Sequence, residues 1–417
     1  MVVEDTLTRL LVWLDRHGLA SYDFADILRS PIVRALTFRR HLAERVAIQF
    51  GKHFPFNIRP LLGITPHVSS QTLALLCSAR AWQYASGWKG TTEEMVRNAA
   101  HLLIADSLGP GGVYLWGQKL MFSARFVRAT PSTPNLFQTS NAIHGLLDAY
   151  QVVGDRALAE VATQAAHDCV ARLGFLTAPT GGGLYMRYYP GVDVPVYNVN
   201  ALFSAACCRL ADLGIGAVDT HRQRAEDLLA FVLRGQRPDG AWPYAAHESG
   251  QWVDGYHTGY VIEAIGYFLA SSLGATVEEP VRVGLRYFAD RLIDDDGCPK
   301  YFDHSRYPID VQNCAQAIQT IARLAPRGDV SLGLLERTVT AVVRELFLPD
   351  EQGGGYFAAT RRPWIVNRTP YVRWGQAPMA LALTHAWNAE RGGTGYGKGY
   401  FDPGGAIPIG RSADGRG

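Results

Sequence analysis

Four stretches decide the fold: GGGLYMRYY (residues 181–189), DGAWPYAA (239–246), DGCPKYFD (296–303) and GGGYFAAT (353–360). In them Gly183, Gly240, Gly297 and Gly354 recur every 57 residues. An earlier copy, GGVYLWGQ (111–118), puts Gly112 71 residues before Gly183, so one insertion breaks the register. A fixed period of this length marks one supersecondary unit copied several times. After each turn comes a polar loop, an apolar helical segment, then a second helical segment. Such a unit must stack on its neighbours to bury its apolar faces.

Helical periodicity sorts the segments into two kinds. Residues 69–84, 134–153, 197–213, 256–273, 310–324 and 371–388 are apolar nearly all round, as in ALFSAACCRLADL and APMALALTHAW, and such helices are buried. Those between them are amphipathic, with Thr91, Asp155, Asp219, Thr276 and Ser331 as expected N-caps. Six buried helices alternating with amphipathic ones describe an inner ring within an outer ring. The expected fold is all-α, an (α/α)6 toroid, in one domain over residues 1–390. A superhelical solenoid is the alternative. The sixth outer helix is expected within residues 32–50. Residues 391–417 are Gly-rich and aperiodic, and a mobile tail is expected there.

Composition narrows the class. The chain has 417 residues, 47% hydrophobic and 19% charged, with net charge +2. Its Lys and Arg are spread along the sequence, so neither nucleic acid nor an anionic membrane surface is expected as a partner. No uncharged apolar run is long enough to span a bilayer. The first residues read as an amphipathic helix rather than a secretory signal. The six cysteines form no CxxC pair and most lie in apolar helical patterns, as reduced core residues of a cytoplasmic protein do. No zinc spacing, P-loop, dinucleotide fingerprint or GxSxG elbow occurs, so neither metal nor cofactor is expected. QRPDGAW (236–242) is similar to the QW repeat of triterpene cyclases, but it occurs once and no DxDD motif accompanies it. Asp294, Asp295 and Asp296 read as a solvated acidic turn.

In such a toroid the N-termini of the inner helices face one mouth. The sequence loads them with Asn135, Tyr197, Asn198, Asn200, Asp254, Tyr256, His257, Tyr307, Asp310, Asn313, Arg373 and Gln376, and the turns add Trp116, Arg125, Trp242, Lys300 and Tyr301. Aromatic rings stack on pyranose faces, while amides, acids and guanidinium groups take hydroxyls and carboxylates. A saccharide site is expected, with Asp254, His257, Tyr307 and Asp310 as chemical groups and the others holding the sugar. Each residue also has a plainer role: Asn198 and Asp310 as N-caps, Trp242 and Tyr301 as turn packing, His257 as a satisfied buried histidine, Arg373 as half of an ion pair. Asp254 with Asp310 fits glycoside hydrolysis by a carboxylate pair. Alternatively Asn198, Asn200 or Arg373 neutralises a uronate carboxylate while His257 or a tyrosine removes a proton, giving elimination or epimerisation.

Several strings together resemble one family: NIRPLLGI (57–64), RATPSTPNLFQTSNAIHGLLDAY (128–150), VYNVNALFSAA (196–206), QRPDGAWPYA (236–245), WVDGYHTGYVIEA (252–264), PKYFDHSRYPIDVQNCAQAI (299–318) and YVRWGQAPMALAL (371–383). They are similar to the helical-toroid proteins of bacterial exopolysaccharide gene clusters, the VpsJ-type polysaccharide biosynthesis proteins. The resemblance runs from about residue 22 to 387. It implies a six-hairpin-glycosidase-like toroid, a role in making or trimming a surface polysaccharide, and an oligosaccharide or linked-sugar substrate, with other assembly proteins as partners. It assigns no catalytic residue. The family tends to carry Asn where this chain has Gly255, which predicts a looser loop around Asp254 and His257. A non-catalytic scaffold subunit and an isoprenoid enzyme are the competing classes.

Overall fold

The computed structural model describes residues 2–109, 111–325 and 330–393. Six helices form the inner ring: α4 (Ser70–Ala85), α6 (Leu136–Val153), α8 (Tyr197–Asp212), α10 (Gly255–Gly266), α12 (Val311–Leu324) and α14 (Ala377–Glu390). Each packs on the next, and α14 packs back on α4, which closes the ring. Closure is pinned by Gln83 Nε2 donating to Thr384 Oγ1 at 3.0 Å. The outer layer holds α5 (Glu93–Ala105), α7 (Arg156–Leu173), α9 (Val218–Arg234), α11 (Gly274–Arg291) and α13 (Leu332–Leu346). Asp155 and Ser331 cap α7 and α13 as expected, whereas Thr92 rather than Thr91 caps α5. Neither Asp219 nor Thr276 is a cap, since α9 and α11 begin before them.

The sixth outer helix corrects the sequence reading. It is α1 (Val2–His17), which buries Val3, Leu7, Leu10, Leu11 and Leu14 against α14 and α13. The repeat glycines say the same thing. A Cβ on Gly183, Gly240 or Gly297 would strike the backbone or side chains of α9, α11 or α13 in turn. On Gly354 it would meet Asp350 first and then Arg16 and Trp13 of α1. Thus α1 occupies the place that the 57-residue beat assigns to the next outer helix. Gly240 shows the constraint most clearly: its φ is +97°, and a Cβ would lie 2.5 Å from the Val283 carbonyl oxygen. Gly240→Ala is expected to cost roughly 1–3 kcal/mol in a urea titration, and an unchanged midpoint would contradict this packing.

Residues 18–64 form an arm instead. It contains α2 (Pro31–Leu36) and α3 (His41–His53) and has a small core of Ala25, Ile27, Leu28, Ile48 and Ile64. Short hairpins fill the loops before the inner helices: β1–β2 (Phe122–Ser123, Arg128–Ala129), β3–β4 (Phe175–Thr177, Leu184–Met186) and β6–β7 (Phe347–Pro349, Gly355–Phe357). A three-stranded sheet joins β5 (Ile309–Asp310) to β8 (Thr360–Arg362) and β9 (Ile365–Asn367). All six cysteines are buried free thiols. Among the described residues no helix is long and apolar enough to cross a membrane. The tail expected from residue 391 lies, from 394 on, outside the described residues.

Buried histidines make this fold acid-sensitive. Burial lowers His67 and His221 to about 4, and it holds His144 and His385, beside Arg209 and Arg323, well below the usual range. At these four histidines the unfolded chain therefore binds more protons than the folded one below about pH 6.5, an effect that the raised carboxyl of Asp26 offsets only in part. Stability is expected to fall as pH drops from 6.5 towards 4, by on the order of a few kcal/mol. Equal urea midpoints at pH 7.5 and pH 5 would contradict this.

Candidate active site

The inner helices all present their N-termini to one mouth. Asp254 caps α10: its Oδ1 accepts from the His257 backbone N at 2.8 Å. Its Oδ2 accepts from His257 Nδ1 at 2.6 Å and from Trp252 Nε1 at 3.1 Å. Burial opposes ionisation, but the charge and hydrogen bonds of His257 win and lower the carboxyl pKa. An ionised carboxylate only accepts, so Nδ1 carries a proton, and whenever the ring is in its neutral form Nε2 is the nitrogen that keeps a lone pair. Nε2 makes no hydrogen bond among the described residues, and the His257 side chain is one-quarter exposed. Tyr244 and Tyr256 flank the ring edge to face, at 4.8 and 5.0 Å between centroids.

Asp310 caps α12, taking the Gln312 and Asn313 backbone N–H groups on Oδ1 and Trp374 Nε1 on Oδ2 at 3.1 Å. Burial raises its pKa against the pull of Lys52. Lys52 descends from α3 of the arm. Its Nζ lies 5.3, 5.6 and 5.9 Å from the rings of Phe24, Trp374 and Tyr301. Burial lowers its pKa, and Asp310 and Asp254 pull it back up. It makes no ion pair among the described residues. Burial, with Asp310 and Asp254 nearby, pushes the Tyr301 phenol well above its usual range. A side cavity of about 280 Å³ opens here between Lys52, Tyr301, Pro308, Asp310 and Arg362.

A girdle of amides runs round the mouth. Arg373 donates to Gln71 Oε1 at 3.1 Å, Gln138 Nε2 to the same oxygen at 3.4 Å, and Gln312 Nε2 to the Tyr256 hydroxyl at 2.9 Å. Gln71 Nε2, Gln138 Oε1, Asn198 Oδ1 and Gln312 Oε1 are buried without a partner among the described residues. Orphaned buried polar atoms are rare, and in a cavity they mark places for water or a ligand hydroxyl. Tyr188, Tyr189, Tyr260 and Trp374 add aromatic walls. Deeper on the axis, Arg323–Glu263 at 2.8 Å and Arg209–Asp148 at 2.7 Å form a floor, leaving a void of about 30 Å³.

The structure brings Asp254, Tyr256, His257, Tyr301, Asp310 and Asn198 to this mouth, and Asn135 caps α6 beside it. Other expected residues have different work. Trp116 and Trp242 are fully buried and donate to the Leu103 and Val232 carbonyls, both at 2.9 Å, so they pack turns rather than face a sugar. Tyr197 stacks outward on Phe231 at 4.9 Å. Lys300 reaches Asp294 at 3.9 Å. Asn200, Asn313 and Gln376 clamp the preceding turn, bonding the backbone of Met186, Lys300 and Phe357. Thr139 does the same for Trp116. Arg373 is committed to Asp23, and Arg125 holds the Ser249 carbonyl at 3.0 Å. Tyr307 stands on the loop before β5, 37% exposed, with no side-chain hydrogen bond among the described residues. Arg306 bonds Asp294 and Asp296 in the acidic turn. Gly255 does not loosen its loop: a Cβ there would lie 2.5 Å from Asn313 Oδ1, so glycine allows the close approach.

Lys52, Phe24, Trp374 and the girdle glutamines were not anticipated. The glutamines had a signal, since each stands two or three residues into an inner helix. Lys52 and Phe24 had none, because the arm lies outside the repeat.

Comparison with known proteins fixes the architecture. No family model matches the chain, and no curated protein matches it in sequence. Solved structures do match. A protein from Listeria innocua superposes with TM-score 0.64 at 13% identity, over 94% of this chain and 99% of its own. A cellobiose 2-epimerase from Bacillus thermoamylovorans gives 0.59 at 12%, over 78% and 88%. The GH76 α-mannanase of Bacteroides thetaiotaomicron gives 0.57 at 14%, over 78% and 87%. The chain has the (α/α)6 toroid fold seen in these structures, and at such identities the likeness is one of fold.

Proposed function

We infer that this protein is a carbohydrate-processing enzyme that moves a proton on a bound sugar through the Asp254–His257 pair. The observation that carries this reading is the 2.6 Å bond from Nδ1 to Asp254, which leaves Nε2 as a base at a mouth ringed by aromatic and unpartnered amide groups. Nε2 would take a proton from a carbon next to a carbonyl or carboxylate. The electron pair left on that carbon would delocalise onto the carbonyl or carboxylate oxygen, with Lys52 as the nearby positive charge. Return of a proton to the opposite face, from water or a second acid while the imidazolium gives its own proton to solvent, gives the epimer. Departure of the substituent on the adjacent carbon as its alcohol, protonated by the His257 imidazolium, gives an unsaturated sugar.

Hydrolysis by Asp254 and Asp310 is less well supported, because every carboxylate oxygen of both already accepts an N–H. The fold does not choose, since a mannanase and an epimerase both use it. The strings similar to exopolysaccharide-cluster proteins support an oligosaccharide, or a lipid- or nucleotide-linked sugar, as the substrate, and surface-polysaccharide synthesis as the setting.

The test is incubation with oligosaccharides and linked sugars from the source cell in deuterium oxide, followed by mass spectrometry and NMR. Deuterium on one ring carbon, or an ultraviolet-absorbing unsaturated end, is expected. Saturated, deuterium-free fragments would replace this reading with hydrolysis, and tight binding without turnover would replace it with a scaffold role.

A further inference from the structure

The arm has a second face, turned away from the mouth. On α3 the buried positions are Glu44, Ile48 and Gly51. The opposite stripe, Leu42, Val46 and Phe50, is 70%, 62% and 57% exposed. Leu36 and Phe38, at the corner before α3, are 71% and 79% exposed. Among the described residues, 8 of the 19 large exposed apolar side chains fall within residues 32–61. That concentration is far from the scattered single apolar residues of an ordinary surface.

The corner itself is strained. Phe38 and Arg39 both hold left-handed backbone, with φ of 49° and 54°. Neither is a glycine, and such a pair persists only where surrounding structure over-determines it. The Arg39 carbonyl is held by Arg128 at 3.0 Å, and Arg128 is fixed in turn by Glu44 at 2.8 Å. This bracing keeps Phe38 projecting into solvent.

The exposed charge on the arm is of one sign, because its acids Asp23 and Asp26 are buried against Arg373 and Arg59. Within residues 27–64 the sequence holds seven Lys and Arg and one acid, Glu44. Glu44 is buried and bonded to Arg128 and Ser123, so it does not offset the basic face. Arg34, Arg39 and Arg40 are exposed beside the apolar stripe. The near-neutral total of +2 hides this local excess.

An exposed short helix with a Leu/Val/Phe stripe flanked by arginines is the composition of a helix lying in a membrane interface. We propose that the outer face of residues 31–61 is a docking surface for an anionic lipid bilayer. The apolar side chains enter the headgroup–acyl boundary, and the arginines pair with lipid phosphates. One-signed charge with no exposed acid favours this over a protein partner, whose interface would mix signs. The β8–β9 hairpin, tied to the arm by Asn367 donating to the Phe54 carbonyl at 3.2 Å, adds Trp364, 95% exposed, a residue type enriched at membrane interfaces.

The test is flotation of the full chain with vesicles of phosphatidylglycerol and phosphatidylcholine, against pure phosphatidylcholine, at low and high salt. Binding to the anionic vesicles that weakens with salt is expected. Leu42→Glu with Phe50→Glu should weaken it more than tenfold, and Arg39→Glu or Arg40→Glu roughly fivefold each. These side chains are exposed, and circular dichroism should show the fold unchanged. No flotation with anionic vesicles at low salt would overturn the proposal. So would binding that these variants do not change, or a concentration-dependent dimer in lipid-free solution that they abolish.

Discussion

Replacing His257 with alanine is expected to lower turnover by about two to four orders of magnitude, with the unfolding midpoint close to that of the parent. The ring is partly exposed and packs only edge-on against Tyr244 and Tyr256, so its loss leaves little cavity. Asp254→Asn is the sharper companion. Asparagine caps a helix as well as aspartate does, so α10 should keep its start. The amide, however, offers His257 Nδ1 an uncharged partner that can also donate. The ring then loses the fixed tautomer that leaves Nε2 as the acceptor, and the imidazolium loses its counter-charge. Turnover should therefore fall steeply while KM changes little. Parent-like rates in both variants would remove the pair from the chemistry.

The largest stability effect is expected at Arg373. Its guanidinium is buried, paired with Asp23 and bonded to Gln71, and it lies 5.1 Å from the Phe24 ring. Arg373→Ala strands the Asp23 carboxylate in the interior, and breaking one side of a buried pair costs about 3–5 kcal/mol. Asp23→Asn should cost less, because the amide still accepts a hydrogen bond. Replacing both with apolar residues of similar volume should recover much of the loss, since the desolvation of two charges disappears with the pair. Urea titrations of the three variants measure this directly. A loss below about 1 kcal/mol for Arg373→Ala would mean that the pair does not hold the arm over the mouth.

Much of the architecture was legible because the toroid repeats one unit. The glycine period reports how often a turn must pass close to an outer helix, and Gly240 against Val283 shows why no side chain fits there. The sixth outer helix was misplaced for a physical reason. Residues 41–53 are as helical and amphipathic as α1, and periodicity does not say which ring a helix joins. The site was half legible. Spacing located the mouth, yet it did not separate Asn198, whose oxygen is unpartnered, from Asn200, whose amide is spent on Met186. That difference depends on which backbone groups the preceding turn leaves unpaired, and residue type does not encode it. Trp116 and Trp242 misled in the same way, because a ring suited to a sugar face also suits a turn packed on a helix.

The seam between α14 and α4 sets an order on biosynthesis. Hairpins from α4 to α13 can stack on one another as they leave the ribosome, since each needs only its neighbour. The last inner wall cannot. Thr384 meets Gln83 across 301 residues of chain, and Arg373 meets Asp23 across 350. Until the final helix emerges, the nascent protein is an open crescent with an apolar flank and an unpaired Asp23 carboxylate. Chaperone demand should peak in that interval, and a ribosome stalled before residue 377 should hold a species that proteases cut readily at α1 and α4.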